Sequence, residues 1–306
     1  MSAKRHVMEF TLDPWRALRA RTTEETPGST GTPGAALGPL DVDPDTKPGY
    51  LGGKAEGEAT LEARAERLAE LQELLYANGV AGTLDEHGRG LSLLLVVQAM
   101  DTAGKGGIMR HVIGAMDPQG VEDAAFKAPT EEEQTHHFLW RIRPHVPQDG
   151  YVGVWDRSHY EDVLIHRVRG LTSTEEIEQR YADIRAFEQE LVAGGTRIIK
   201  VMLHLSKDEQ KERLAERLER PDKFWKYSPS DVDERAYWDD YMEAYRAAIA
   251  ETDTDEAPWF IVPANRKWYS RIAVQELMIT VLESMGLDWP PADFDVAAEQ
   301  QRLAAS

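Results

Sequence analysis

Apolar positions along this chain fall into two rhythms. Five short runs carry a strand signal: Leu91 to Val97, Val121 to Phe126, Tyr151 to Trp155, Arg197 to Leu203 and Trp259 to Val262. A continuous run such as Leu91 to Val97 suits a strand buried on both faces. Between the runs lie stretches with helical spacing. Leu61, Leu68, Leu71, Leu74 and Leu75 alternate with Glu and Arg and predict a helix from Leu61 to Tyr76; Thr130 to Arg143 and Glu175 to Ala193 read the same way. Strands alternating with helices predict an α/β fold, a five-stranded parallel sheet sandwiched by helices.

A long, mostly helical section, about residues 206–251, separates the fourth strand from the fifth and is expected to form a lid. Its Trp225 and Trp238 are expected to pack in the core. Residues 22–60 are rich in Gly, Pro, Thr and acids and read as flexible arm or linker. The expected organisation is therefore an N-terminal arm over 1–60, a main domain over 61–290 and a C-terminal tail over 291–306.

The first strand runs straight into Gln98-Ala-Met-Asp-Thr-Ala-Gly-Lys-Gly-Gly107. A glycine-rich turn between a strand and a helix points backbone N–H groups at a polyphosphate, and Lys105 adds a mobile positive charge. Gly104, Gly106, Gly107 and Arg110 would complete the phosphate cradle. Gly106 stands where Ser or Thr would usually offer magnesium a hydroxyl, so Asp101 is the candidate Mg²⁺ ligand. The bland alternative is an ordinary turn. Downstream, Tyr151 to Trp155 delivers Asp156 to a strand end, followed by Arg157-Ser-His-Tyr-Glu-Asp162. Ligands sit outside the carboxyl ends of parallel strands, so Asp101 and Asp156 could share one Mg²⁺. Alternatively Asp156 caps the helix beginning near Ser158.

With 306 residues and 42% apolar content, the chain can bury one large core. Lys4 and Arg5 lead into no apolar leader and no run is long enough to span a bilayer, so a cytoplasmic protein without membrane partners is expected. Zero cysteines exclude disulfides, thiolate catalysis and Cys-ligated zinc. A net charge of −19 argues against nucleic-acid binding. It also requires that cations be gathered in one cleft if the ligand is a polyanion. Candidates are Lys105, Arg110, Lys127, Arg141, Arg143, Arg157, Arg167 and Arg169, then Arg213, Arg217, Lys223 and Lys226. His136-His137, His159 and Glu161 are too loosely patterned for zinc.

Five segments in order carry a resemblance: Met100 to Gly107, Phe126 to Thr130, Trp155 to Val163, Arg217 to Lys226 and Ala257 to Arg271. Together they resemble the type-2 polyphosphate kinase family, over roughly Leu40 to Leu287. The resemblance implies a P-loop kinase-like core with a helical lid, a homo-oligomer, and reversible Mg²⁺-assisted phosphoryl transfer from inorganic polyphosphate to AMP or ADP, giving ADP or ATP. His159 to Val163 and Trp259 to Ala264 look like class III, whose members accept both nucleotides; Gly106 and Asp156 are read as departures toward the other classes. In this reading Asp101 and Asp156 hold Mg²⁺, and Lys105 and Arg157 neutralise the transferring group. Arg217, Lys223 and Lys226 grip polyphosphate, and Glu161 either faces the nucleotide or orders the helix start. An ATP-dependent small-molecule kinase and a noncatalytic polyphosphate binder are the alternatives.

Overall fold

The computed structural model of the chain describes residues 7–20 and 40–306; the Gly- and Pro-rich stretch 22–39, expected as linker, lies outside the described residues. The ordered elements are α1 (Pro14–Ala17), α2 (Lys54–Ala81), β1 (Ser92–Ala99), α3 (Lys105–His111), β2 (Val121–Ala125), β3 (Val152–Asp156), α4 (Glu161–Val168) and α5 (Thr174–Ala193). There follow β4 (Thr196–His204), α6 (Lys207–Glu219), α7 (Pro229–Glu234), α8 (Trp238–Thr252), β5 (Trp259–Pro263), α9 (Lys267–Ser284) and α10 (Val296–Ala304).

All five strands form where the apolar runs place them. They make one parallel sheet in the order β2-β3-β1-β4-β5. Strand β1 lies at its centre and is buried along its whole length. Its period-two alternation sends Leu93, Leu95 and Val97 into a core with Leu68, Leu71 and Leu75 of α2 and Ile272 and Leu277 of α9. Leu94 and Val96 face the opposite core, built with Val163 of α4, Ile184 and Phe187 of α5, and Tyr245 and Ile249 of α8. Because both faces are covered, the strand reads as an unbroken apolar run, and each buried Leu or Val contributes about 1.5–3 kcal/mol.

Helix α2 begins at Lys54, earlier than the periodicity suggests. Glu56 accepts from the Gly53 N–H at 3.1 Å to cap it. The first turns pack through small residues, which leave no apolar stripe to read: a Cβ on Gly57 would lie 2.2 Å from the Trp268 ring. The chain before it is also tied down from Leu40 onward. Leu40 and Tyr50 are buried, the Tyr50 hydroxyl lies 3.0 Å from Thr60 Oγ1, and Tyr269 donates to Pro48 O at 2.7 Å.

The expected helix over Thr130 to Arg143 does not form; the segment holds only two single 3₁₀ turns, Glu133–Thr135 and Arg143–His145. Thr130 and Glu133 exchange side-chain bonds that open the first turn. Arg141 is buried, donates to Lys127 O at 2.7 Å and faces Asp162 at 3.5 Å. Those tertiary bonds fix an irregular path, and Pro144 blocks continuation. The section over 206–251 is helical, as expected. Within it Trp238 is buried, but Trp225 is 78% exposed. Trp225 stands on the 3₁₀ turn Pro221–Lys226, where its indole N–H donates to Asp222 O and Lys226 lies 4.8 Å from the ring centroid. No helix among the described residues is long and apolar enough to cross a membrane.

Candidate active site

In the parallel register Val97 of β1 is the partner of Asp156 of β3. The loops leaving those two strands therefore start side by side at the carboxyl edge of the sheet, where ligands of open α/β sheets bind. The loop after β1 turns through Thr102 at φ +68° and Gly104 at φ +124° before α3 starts at Lys105. Gly107 N–H donates to Gly104 O at 2.7 Å, while the amides of Gly104, Lys105 and Gly106 find no backbone acceptor and remain available to a ligand. Lys105 reaches back over this loop: its Nζ donates to Ala99 O at 3.2 Å and lies 3.9 Å from Asp156 Oδ1.

Asp156 does not cap α4. The Ser158 hydroxyl accepts from the Tyr160 N–H just before the helix, while Asp156 Oδ1 is buried, accepts no hydrogen bond and is met by the Lys105 ammonium at 3.9 Å. A buried carboxylate oxygen without a partner is costly unless a cation or donor meets it. Arg157 follows at φ +64°, its N–H donating to Val97 O at 3.1 Å. That turn swings its guanidinium toward the β1 loop, where it lies 3.4 Å from Asp101 Oδ1. Burial disfavours the Arg157 charge, but Glu161 and Asp101 more than offset it and hold its pKa above the ordinary value.

A cleft of about 590 Å³ opens over these groups. Lys105, Arg110, Lys127 and Arg157 line it from the core, Arg213, Arg217, Lys223 and Lys226 from the section expected as lid, and Lys267 and Arg271 from α9. Only three carboxylates share the wall, Asp101, Asp156 and Glu216. A chain of net charge −19 thus concentrates ten cations in one cavity. This focusing is what a polyanionic ligand requires of an acidic protein.

Gly104, Gly106, Gly107 and Arg110 also line this cleft, so the sequence-derived phosphate set comes together there. Four of the twelve candidate cations lie elsewhere, each paired with an acidic neighbour: Arg143 with Glu190, Arg167 with Glu243, Arg169 with Glu234, and Arg141 with Asp162. Glu161 does not line the cleft. It opens α4, where its carboxyl meets the Gln98 amide nitrogen at 3.1 Å in the orientation that satisfies both groups. Burial raises its pKa, against the pull of Arg157 and Lys105. His159 is almost wholly buried, with Nε2 3.4 Å from Glu188 Oε1.

Sequence reasoning passed over Lys267 and Arg271. Their signal was position: both follow the carboxyl end of β5, on the first turns of the next helix. It also set Arg213 beside the phosphate-binding candidates, whereas its guanidinium is turned into the protein.

Comparison with known proteins agrees with this geometry. Residues 53–288 match the family described as Polyphosphate kinase 2 (PPK2). The chain is 45% identical over 251 residues to an AMP/ADP-polyphosphate phosphotransferase of Meiothermus ruber, covering 81% of this chain and 89% of that protein. It is 40% identical over 264 residues to an ADP-polyphosphate phosphotransferase of Rhodopseudomonas palustris, covering 82% and 86%. The crystal structure of Polyphosphate Kinase 2 from Arthrobacter aurescens TC1 superposes with a TM-score of 0.89 at 54% identity, over 98% of this chain and all of that one. With a cationic cleft built on the glycine-rich loop and a family match over residues 53–288, the chain belongs to the polyphosphate kinase 2 family.

Proposed function

We propose that this enzyme moves phosphoryl groups reversibly between inorganic polyphosphate and adenine nucleotides, accepting both AMP and ADP. The observation that carries the reading is the cleft itself, which ten cations line around the loop and around an Asp156 oxygen that accepts no hydrogen bond. The similarity to a relative named for both AMP and ADP supports the dual acceptor.

Phosphoryl transfer asks a protein for alignment and charge stabilisation more than for covalent help. Asp101 and Asp156 would hold Mg²⁺, and Asp156 Oδ1, which accepts no hydrogen bond, fits a hard cation. Among the described residues no three or more His, Cys, Asp or Glu converge on one point, so phosphate and water would have to supply the rest of the Mg²⁺ shell. When bound, the ion would draw charge from the oxygens of donor and acceptor. Lys105 and Arg157 neutralise the transferring group, the amides of Gly104, Lys105 and Gly106 cradle its neighbours with Gly107 shaping the turn, and Arg157 with Glu161 behind it faces the nucleotide. Arg110, Arg217, Lys223 and Lys226 grip the polyphosphate, with residues 206–251 acting as the lid. The acceptor is already an anion at neutral pH, so no strong general base is required.

The test supplies purified protein with Mg²⁺, polyphosphate and either AMP or ADP, with controls lacking polyphosphate to exclude adenylate kinase. ADP from AMP and ATP from ADP are the expected products. Product from one acceptor alone overturns the dual reading, and turnover only with ATP as donor overturns polyphosphate as the phosphoryl source. The proposed setting is a cytoplasmic homo-oligomer, which light scattering on the purified protein tests.

A further inference from the structure

Arg213 lies on the second turn of α6, 5% exposed. All five of its N–H groups are committed within the protein. Nε donates to Glu209 at 2.7 Å; one terminal nitrogen donates to the carbonyls of Thr102 at 2.9 Å and Ala103 at 3.0 Å; the other donates to those of Ala264 at 2.7 Å and Asn265 at 2.9 Å. A guanidinium has five donors and no more, so none is left for phosphate. Its neighbour Gln210 donates to the Asp101 carbonyl at 3.1 Å. The base of α6 therefore holds three consecutive carbonyls of the phosphate-binding loop, Asp101, Thr102 and Ala103.

One of the three needs holding. Thr102 sits at φ +68°, where a β-branched residue is rarely stable. Such a conformation persists only where its surroundings over-determine it, and such positions cluster where geometry serves function. Thr102 lies between the metal candidate Asp101 and the turn that aims Lys105, so a relaxed Thr102 peptide would re-aim both.

We propose that Arg213 is a positioning residue for phosphoryl transfer: it pins the strained Thr102 peptide to the turn after β5 and to the base of the lid, and thereby sets the loop without touching substrate. The inference rests on the cleft being the phosphoryl-transfer site. It also makes the root of the lid part of the loop's own support.

Arg213→Lys keeps the charge but can make at most three of the five bonds. Misplacement of a loop by about 1 Å can cost on the order of 100-fold in rate, so kcat should fall by between about 10- and 100-fold while KM for polyphosphate stays within about 3-fold. Thr102→Gly removes the need for the pin, since glycine adopts positive φ freely. The double variant should therefore recover part of the kcat lost in Arg213→Lys. A raised KM with unchanged kcat would make Arg213 a phosphate ligand and overturn the proposal. A lowered melting temperature with unchanged kinetics would make it only structural, and equal losses from Thr102→Gly in both backgrounds would break the link to Thr102. Should Arg213→Lys fail to fold, Glu209→Ala frees Nε alone: a smaller kcat loss at constant KM supports the proposal and unchanged kcat overturns it. Absence of polyphosphate-dependent turnover in the unaltered protein would instead overturn the assignment of the site.

Discussion

The Lys105 ammonium stands 3.9 Å from Asp156 Oδ1, a buried oxygen that accepts no hydrogen bond. The two residues come from different strand ends, and the pairing of β1 with β3 brings them together. Phosphate oxygens taken up by the ammonium and a metal taken up by the carboxylate would replace this ion pair. Lys105→Ala removes one electrostatic stabiliser of the transferring group. Its kcat should drop on the order of 100-fold or more, measured with saturating polyphosphate and nucleotide; normal turnover would remove Lys105 from the reaction.

Asp156→Asn replaces an oxygen donor with an amide that can still hydrogen-bond. The expected result is a Mg²⁺ titration displaced to higher concentration together with a lower maximal rate. An unchanged titration would leave Asp156 outside the metal site.

Lys223 lies 3.7 Å from Glu216 and Lys226 lies over the exposed ring of Trp225. Both lysines sit on one short turn at the mouth of the cleft. Changing both to Gln should raise KM for polyphosphate several-fold, with less effect on kcat, and should flatten the dependence of KM on ionic strength. Rates at low and high salt decide it.

Lys200 is fully buried on the face of β4 opposite α2 and α9. Its ammonium meets Glu188 at 2.5 Å, the Tyr160 hydroxyl at 3.1 Å and the Thr252 carbonyl at 2.8 Å. Lys200→Met strands the Glu188 carboxylate and should cost about 3–5 kcal/mol in denaturant unfolding. Lys200→Met with Glu188→Leu removes both charges and should recover most of that loss. A single-variant loss well below this range would mean that the pair is not ionised.

His204 ends β4 in a buried position, and burial, with Arg246 adding repulsion, lowers its pKa from 6.5 to about 4. Between those values the unfolded chain binds a proton that the folded protein does not. Stability therefore rises with pH across this window and is lost as pH falls through it, by up to about 3 kcal/mol. Melting temperatures from pH 7 to about 4 should decline more steeply for the unaltered protein than for His204→Gln; parallel curves would assign the acid sensitivity elsewhere.

What the sequence determined by itself is whatever one element encodes. Apolar runs such as those of β1, β3 and β5 need two covered faces and could be read as parallel strands of one sheet, with the more polar Val121 to Phe126 fitting its edge. A glycine-rich turn after the first run, an aspartate after the third and a basic insertion after the fourth each announced phosphate chemistry through residues close together in the chain. The tertiary structure decided what those side chains meet. Arg213 and Arg217 stand four residues apart on α6 with the same charge, yet the first is spent on four carbonyls of neighbouring loops while the second bonds Lys226 O and Asp231 within the helical section. Lys267 and Arg271 join the site only because α9 starts at the same sheet edge. Arg141 overrides a helical pattern from 130 to 143 through bonds to Lys127 and Asp162. Propensity is a sum of small local terms, whereas a buried charge must find its partners wherever the fold supplies them, and that search is settled only when distant segments are brought into register.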